Sequence, residues 1–351
     1  MNKKLIALAV AGAFVAPAAM AQTANPVTLY GQVNVTLESV EAKGGAASVD
    51  RRSRVEDQSS RLGVRGTEDL GGGLKAFFQL ETAFRADSNN TTFAARNSGV
   101  GLQGGWGSFL LGRWDMPFKT TTIAIDPWGD ITIAGLTGVM NDGGNFDNRE
   151  QNVIQYWSPS FGGVAARLAM TANEGKGCTT AGTPAVTTCL NPRRAGASVT
   201  YTGGPLYVVA AYEEHKDVSA ALPKEEGVAL GAAFTFGPVK LGGQYEEFKK
   251  TNRSKQKAFM ANVVWTMGNN QFIYQFMNSK DGGLNSATTQ PDCDSNSIGY
   301  KYNFSRRTSF IAHYLKVDNN DASSCNFGSN RLAISAGQDP QGVAIGILHN
   351  F

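Results

Sequence analysis

Apolar and polar residues alternate one by one along most of this chain, and the stretch from Ser59 to Phe84 shows the unit that the rest repeats. Leu62, Val64 and Gly66 fall on one face and Arg61, Gly63 and Arg65 on the other, the period of two that a β-strand imposes. Glu68-Asp69-Leu70-Gly71-Gly72-Gly73 then supplies the positive-φ positions of a tight reversal. The following run alternates again, with Leu74, Ala76, Phe78 and Leu80 opposite Lys75, Phe77, Gln79 and Glu81, so the whole predicts a β-hairpin with an apolar and a charged face. The first strand repeats the pattern, with Val27, Leu29, Val33, Val35 and Leu37 against Thr28, Tyr30, Gln32, Asn34 and Thr36, as do the segments around Val228 to Phe234, Phe272 to Phe276 and Ile298 to Phe304. About sixteen such segments lie between Val27 and Phe351, most near the roughly 9–11 residues that a tilted strand needs to cross a bilayer.

The connections sharpen this picture. Short ones (Gly104 to Gly107, Ser160 to Gly163, Gly237-Pro238, Ser305-Arg306-Arg307) alternate with long polar ones such as Asn173 to Arg194 and Ser279 to Asp294. That rhythm belongs to a barrel with tight periplasmic turns and extended outer loops, and a soluble sandwich has no reason to produce it. Lys3 and Lys4, the apolar run Leu5 to Val15 and the small residues of Ala19-Met20-Ala21 predict a secretory signal over residues 1–21, with 22–351 as one mature barrel domain. No segment reaches the about 20 consecutive apolar residues of a membrane helix. A membrane protein without helical spans is a closed barrel, because lipid cannot satisfy an open sheet edge. The expected fold is therefore an all-β, transmembrane, antiparallel up-and-down barrel whose greasy face meets lipid and whose hydrophilic face surrounds water.

Composition changes little. Charged residues make up 17% of the chain and the formal charge is +3, of which Lys3 and Lys4 leave with the signal, so nothing points to nucleic acid. Aromatics near strand ends (Tyr30, Phe84, Trp106, Trp114, Trp157, Phe161, Phe248, Trp265) fit girdles at the two membrane interfaces.

The segments SRLGVRGTEDLGGGLKA, FLLGRWDMPF and DNREQNVIQYWSPSFGG, with the ending Gly342 to Phe351, resemble the trimeric general-diffusion porins of Gram-negative bacteria over essentially the whole mature chain. The resemblance implies sixteen strands, a homotrimer in the outer membrane, and one channel per subunit narrowed by a loop folded inward after the fifth strand. It also implies that Phe351, in register with Val343, Ile345, Ile347 and His349, is the signal read by the outer-membrane insertion machinery.

In this sequence the inward loop would be Asp115 to Asp147, which holds the acids Asp115, Asp126, Asp130, Asp142 and Asp147 against the single base Lys119. Asp126-Pro127-Trp128-Gly129-Asp130 is its expected tip, presenting Asp126 and Asp130 to the lumen. Strand parity turns Arg61 and Arg65 inward, and Arg149 with Val153, Gln155 and Trp157. By resemblance to the family's basic cluster, Arg61, Arg96 and Arg149 form the wall opposite the loop, although strict alternation gives Arg96 the face of Val100 and Leu102. Arg65, Lys75, Arg113 and Arg167 are further pore-lining candidates. The expected activity is passive diffusion of ions and small hydrophilic solutes, with a weak anion preference that salt screens.

The four cysteines fit an oxidising compartment. Cys178 and Cys189 share one predicted outer loop, and Cys293 and Cys325 lie in the two outer loops nearest the C-terminus. These local pairings need no membrane crossing, though four cysteines allow three connectivities. Metal and cofactor chemistry lacks support, since no CxxC spacing accompanies them. Enzymatic chemistry lacks it too, because the three histidines, His215, His313 and His349, are far apart and neither GxSxG nor HExxH occurs. Gly99 to Gly104 matches GxGxxG but runs into another strand, without the helix N-terminus that binds phosphate. The alternative function is a barrel acting through its surface loops, as adhesin, receptor or surface hydrolase.

Overall fold

The computed structural model describes residues 26–45, 48–89, 91–129, 131–140, 145–181, 186–218, 223–284 and 291–351. The signal segment 1–21, Asp130 and Asp142 lie outside the described residues. The chain forms β1 (Val27–Gly44), β2 (in two pieces, Val49–Asp57 and Arg61–Gly71), β3 (Leu74–Phe84), β4 (Ser98–Gly104, extended by Thr91–Thr92), β5 (Gly107–Asp115), β6 (Arg149–Trp157), β7 (Val164–Thr171) and β8 (Arg193–Gly203). It continues through β9 (Leu206–Lys216), β10 (Lys224–Phe236), β11 (Val239–Lys250), β12 (Gln256–Met267), β13 (Asn270–Lys280), β14 (Asp292–Asn303), β15 (Thr308–Asn319) and β16 (Gln338–Asn350). Each strand pairs antiparallel with its sequence neighbours, and β16 returns to pair with β1 from Asn350↔Gln32 to Gln338↔Gly44, closing a sixteen-stranded barrel.

Closure is secured at the turn end by the last residue. The Phe351 N–H donates to the Gly31 carbonyl at 3.1 Å and the Gly31 N–H to the Phe351 carbonyl at 3.2 Å. A Cβ on Gly31 would lie 2.3 Å from the Phe351 ring, so only glycine lets the ring settle there. The predicted hairpin is present, with Leu62↔Thr82 to Asp69↔Lys75 in register and Gly71, Gly72 and Gly73 at φ of 85°, 61° and 81°.

Alternation sorts side chains as predicted on the outside. Val27, Leu29, Leu37, Leu62, Val100 and Leu102 are exposed, and Gln32, Asn34, Thr36 and Glu38 on the opposite face of β1 are buried. A closed barrel with this outward apolar band is the form in which strands satisfy their backbone groups within lipid.

The segment from Met116 to Asn148 opens with α1 (Pro117–Thr122), whose proline at the first turn leaves no orphan N–H there. Its apolar side chains pack against residues of the non-lipid face. Phe118, Ile125, Leu136, Met140 and Phe146 share a cluster with Val209, Ala229, Phe248, Met260 and Met277, on β9 to β13. Trp128, Ile133 and Ala134 share another with Val40 and Ala42 of β1, Ile273 of β13 and Leu315 and Val317 of β15. The loop between β15 and β16 joins this second cluster through Phe327 and Leu332. It is tied on by hydrogen bonds from the Gly328 N–H to the Ile133 carbonyl (2.8 Å) and from Arg331 to the Thr137 carbonyl (2.6 Å).

Both local disulfides are formed. Cys178 and Cys189 face each other across a small ribbon, Gly177–Ala181 with Val186–Leu190, and Cys293 of β14 is bonded to Cys325 in the loop that packs on the Met116-to-Asn148 segment.

Candidate functional site

Where β2 to β6 approach the Met116-to-Asn148 segment, a cavity of about 270 Å³ is lined by Arg61, Glu81, Arg96, Asp115, Lys119 and Arg149, with Asn97 among them. Each charged group is set by local geometry. Ser59 takes φ 62° and breaks β2, the Ser60 N–H donates to Asp57 Oδ1 at 3.0 Å, and the strand restarts at Arg61. Glu81 on β3 receives Nε of Arg96 at 2.6 Å on one oxygen and the Tyr30 hydroxyl at 3.0 Å on the other. The Arg96 N–H also donates to the Glu81 carbonyl, at 3.0 Å, which fixes both ends of that residue.

Asn97 links the two sides of the cluster. Its amide donates to Asp115 Oδ2 at 2.8 Å, while its oxygen accepts from the Asp115 N–H at 3.0 Å and from Arg149 Nε at 2.7 Å. Arg149 completes the ring with an ion pair to Asp115 at 2.9 Å. Glu81 and Asp115 are nearly buried, and an unpaired carboxylate there would be costly, so each is matched by an arginine. The Arg61 side chain has no hydrogen-bond or ion-pair partner among the described residues and shares the cavity with Arg96 and Arg149.

The three arginines singled out from sequence thus meet at one cavity, but two arrive by routes that alternation does not describe. Arg96 lies in the break between the two pieces of β4, Thr91–Thr92 and Ser98–Gly104, so the outward parity of Val100 and Leu102 does not extend to it. The β5–β6 register slips between Gly112 and Trp114, and Asn152 takes φ 55°, so the parity count from Val153 to Arg149 is broken. Arg149 reaches the cavity from the strand end, through Asp115 and Asn97.

Asp126 differs from the expectation of a lumen-facing carboxylate. It is buried, and its oxygens accept from the N–H groups of Trp128 and Leu136, both at 2.9 Å, so it braces the segment from within. Asp147 is paired with Lys119 at 2.6 Å. The described acids of that segment, Asp126 and Asp147, therefore each have an internal partner.

Arg65 sits over the Tyr30 ring at 5.0 Å and Arg167 over the Trp157 ring at 5.6 Å, nearer the turn end. Lys75 is exposed beside the glycine turn, opposite Asp69. Arg113 shares the outward parity of Phe109 and Leu111, gives its Nε to the Ala95 carbonyl at 2.8 Å, and does not line the cavity, contrary to its expected place. Sequence reasoning passed over Glu81, Asn97 and Tyr30. Glu81 was visible on the hydrophilic face of the hairpin, but nothing in the pattern marks Asn97 as the residue that joins Asp115 to Arg149.

A family model of the Gram-negative porins matches residues 7–322. The sequence is 32% identical over 369 residues to outer membrane porin protein 32 of Delftia acidovorans, with 100% of each chain covered. Among solved structures it is similar to the anion-selective porin from Comamonas acidovorans, with TM-score 0.79 and 28% identity over 93% of this chain and 100% of that one. Its fold is also similar to that of OmpT of Vibrio cholerae in its trimer form, with TM-score 0.68 and 17% identity over 94% of this chain and 100% of that one. With a closed barrel, an apolar outer band and a charged inner cavity already in place, these matches make the chain a member of the Gram-negative porin family, a multi-pass channel protein of the outer membrane.

Proposed function

We propose that the channel passes ions and small hydrophilic solutes with a weak preference for anions, and that the Met116-to-Asn148 segment is its constriction. The observation that carries this is the charge balance of the cavity beneath that segment. Four cations, Arg61, Arg96, Lys119 and Arg149, line it with two carboxylates, Glu81 and Asp115, each of which is already ion-paired. Rings of Arg and Lys favour anions. The field is moderated by the paired acids, which fits a preference rather than exclusion. Similarity to an anion-selective porin supports the same sign.

The rest of the life cycle follows the family. Residues 1–21 direct export and are removed, Phe351 marks the last strand for the insertion machinery, and three chains assemble. Planar-bilayer reversal potentials in a salt gradient test the selectivity. Arg61→Ala, Arg96→Ala and Arg149→Ala should each shift the potential toward cations, and unchanged potentials in all three remove the assignment. Liposome swelling with sugars of graded size tests the open passage, since sealed liposomes would leave only the surface-loop alternative.

A further inference from the structure

Toward the turn end from Arg61, the inner face of β2 to β7 carries a patch of aromatic side chains. Register sets Phe77 between Thr67 and Gly101, and Trp157 between Ser108 and Arg167. A Cβ on Gly101 would lie 2.5 Å from the Phe77 ring, so the glycine lets that ring lie down across the wall. The Phe77 ring is stacked with that of Trp157 at 6.3 Å and 28°, and the Trp114 ring meets Trp157 at 5.5 Å. These three rings, with Arg65, Gln79 and Gln103, line a cavity of about 300 Å³.

The polar groups around the rings are one-sided. Arg65 stands over the Tyr30 ring at 5.0 Å and Arg167 over the Trp157 ring at 5.6 Å. Neither guanidinium has a hydrogen-bond or ion-pair partner among the described residues, and the Trp114 indole N–H has no acceptor among them. The acids nearest in register are engaged. Glu81 receives Arg96 at 2.6 Å and the Tyr30 hydroxyl at 3.0 Å, while Asp69, two rows from Arg65 toward the turn, lies opposite Lys75 and accepts from the Gly71 N–H at 2.9 Å. The amides are occupied too, since Gln79 donates to the Asn97 carbonyl at 2.9 Å and Gln155 accepts the Trp157 indole N–H at 2.8 Å. What remains free is a set of donors beside aromatic faces.

We propose that this patch is a binding station for planar aromatic carboxylates, with the solute's ring against Phe77 and Trp157 and its carboxylate on the fork of Arg65. A bidentate guanidinium fits a carboxylate, and offset stacking fits a flat ring. Arg167, stacked on Trp157, adds positive field without touching the solute. A sugar also lies well on aromatic rings, but its hydroxyl protons need acceptors, and the free groups here only donate. The inference rests on the reading of the lumen as an open passage that prefers anions, and it adds a solute class that is held on the way through, weakly enough to leave again.

The test uses the whole protein in planar bilayers, where conductance in potassium chloride first establishes the passage. Benzoate, cyclohexanecarboxylate, benzyl alcohol and maltose are then added in turn, and the block of the current is read. Benzoate should block at a concentration about fivefold lower than cyclohexanecarboxylate, which has the same charge on a saturated ring. Phe77→Leu with Trp157→Leu should abolish that ratio, measured within the variant so that any change in its conductance does not enter. Arg65→Gln should raise the half-blocking concentration of benzoate by about fivefold or more. Equal block by benzoate and cyclohexanecarboxylate in the unaltered protein overturns the proposal without reliance on any variant. Block by benzyl alcohol or maltose as strong as that by benzoate also overturns it, as does a benzoate preference that survives the double variant. Absence of conductance in chloride would remove the open passage and this station with it, whereas normal conductance with equal block removes the station alone.

Discussion

The non-lipid face of this barrel has two unlike halves. From β9 to β15 it presents Val209, Phe248, Met260, Ile273, Met277 and Leu315, all at most 3% exposed, beneath the Met116-to-Asn148 segment and the loop after β15. Near β2 to β6 it presents Arg61, Glu81, Arg96 and Arg149 around an open cavity. A uniformly wet lumen would need neither this asymmetry nor its apolar half. One half seats the segment by dispersion and burial and the other gathers charge around a cavity, which under the proposed function supplies the field that solutes meet.

The strongest way to break that division is to unseat the segment from its apolar side. The Phe118 ring is fully buried, 5.7 Å from the Phe146 ring and 5.9 Å from that of Phe248. Phe118→Ala should cost the seating about 3–5 kcal/mol. The expected readouts are protease cleavage within the segment in otherwise folded protein and a noisier, larger single-channel conductance. A segment that stays resistant, with conductance unchanged, would mean that the apolar half is not what holds it.

Next in size is the clamp above. The Cys293–Cys325 bond holds the loop after β15, whose Gly328, Asn326 and Arg331 contact the segment at Ile133, Gly138 and Thr137. Removing it as Cys293→Ser with Cys325→Ser should lower stability by about 2–4 kcal/mol, seen as a lower thermal midpoint. The same change at Cys178 and Cys189, in a ribbon apart from both halves, should leave conductance alone. Asp126→Ala, which strips acceptors from two buried N–H groups, should cost about 1–3 kcal/mol and loosen the same segment.

How far these halves were legible in the sequence follows from the range of each signal. Alternation acts between neighbours, so the strands, the hairpin at Gly71 to Gly73 and the outward band could be read directly. The apolar half was also present in the sequence, because β12 and β13 set large apolar side chains on both faces. Phe259 is 45% exposed beside Met260 at 0%, and Phe272 is 41% exposed beside Ile273 at 3%. A strand that is apolar on both sides is covered on both sides, and that inference points to a lid on the inner face. The charged half was less legible. Its arginines lie at strand ends and bulges, where the Ser59 and Asn152 conformations reset the count, and its organiser Asn97 is a short polar residue whose partners are remote in sequence. The fate of Asp126 was hidden for the same reason, since a carboxylate in a loop reads as solvent-facing until the N–H groups it caps are in place.

Within the charged half the three arginines should not be equivalent. Arg61→Ala removes a positive charge that has no partner among the described residues. Arg96→Ala removes one charge and also uncovers Glu81, and Arg149→Ala uncovers Asp115, so both should move the reversal potential further toward cations than Arg61→Ala does. Arg96→Ala combined with Glu81→Gln removes one charge of each sign and should return the potential to near that of the unaltered protein. If Arg61→Ala proves the largest of the three, the paired arginines are mainly braces and the field belongs to Arg61.

The smallest effect separates the halves without mutation. Raising ionic strength from about 0.1 M to about 1 M shortens the Debye length from about 10 Å to about 3 Å, which screens a solvent-filled charged cavity but does not weaken apolar burial. The anion preference should therefore decline steadily with salt, while protease resistance of the Met116-to-Asn148 segment stays constant or rises slightly. Lys119 and Asp147 are paired at 2.6 Å and lie at the junction of the two halves, so they decide how clean the separation is. Were the segment held chiefly by that ion pair, selectivity and protease resistance would fall together over the same salt range, and the division between a seating half and a field half would have to be abandoned.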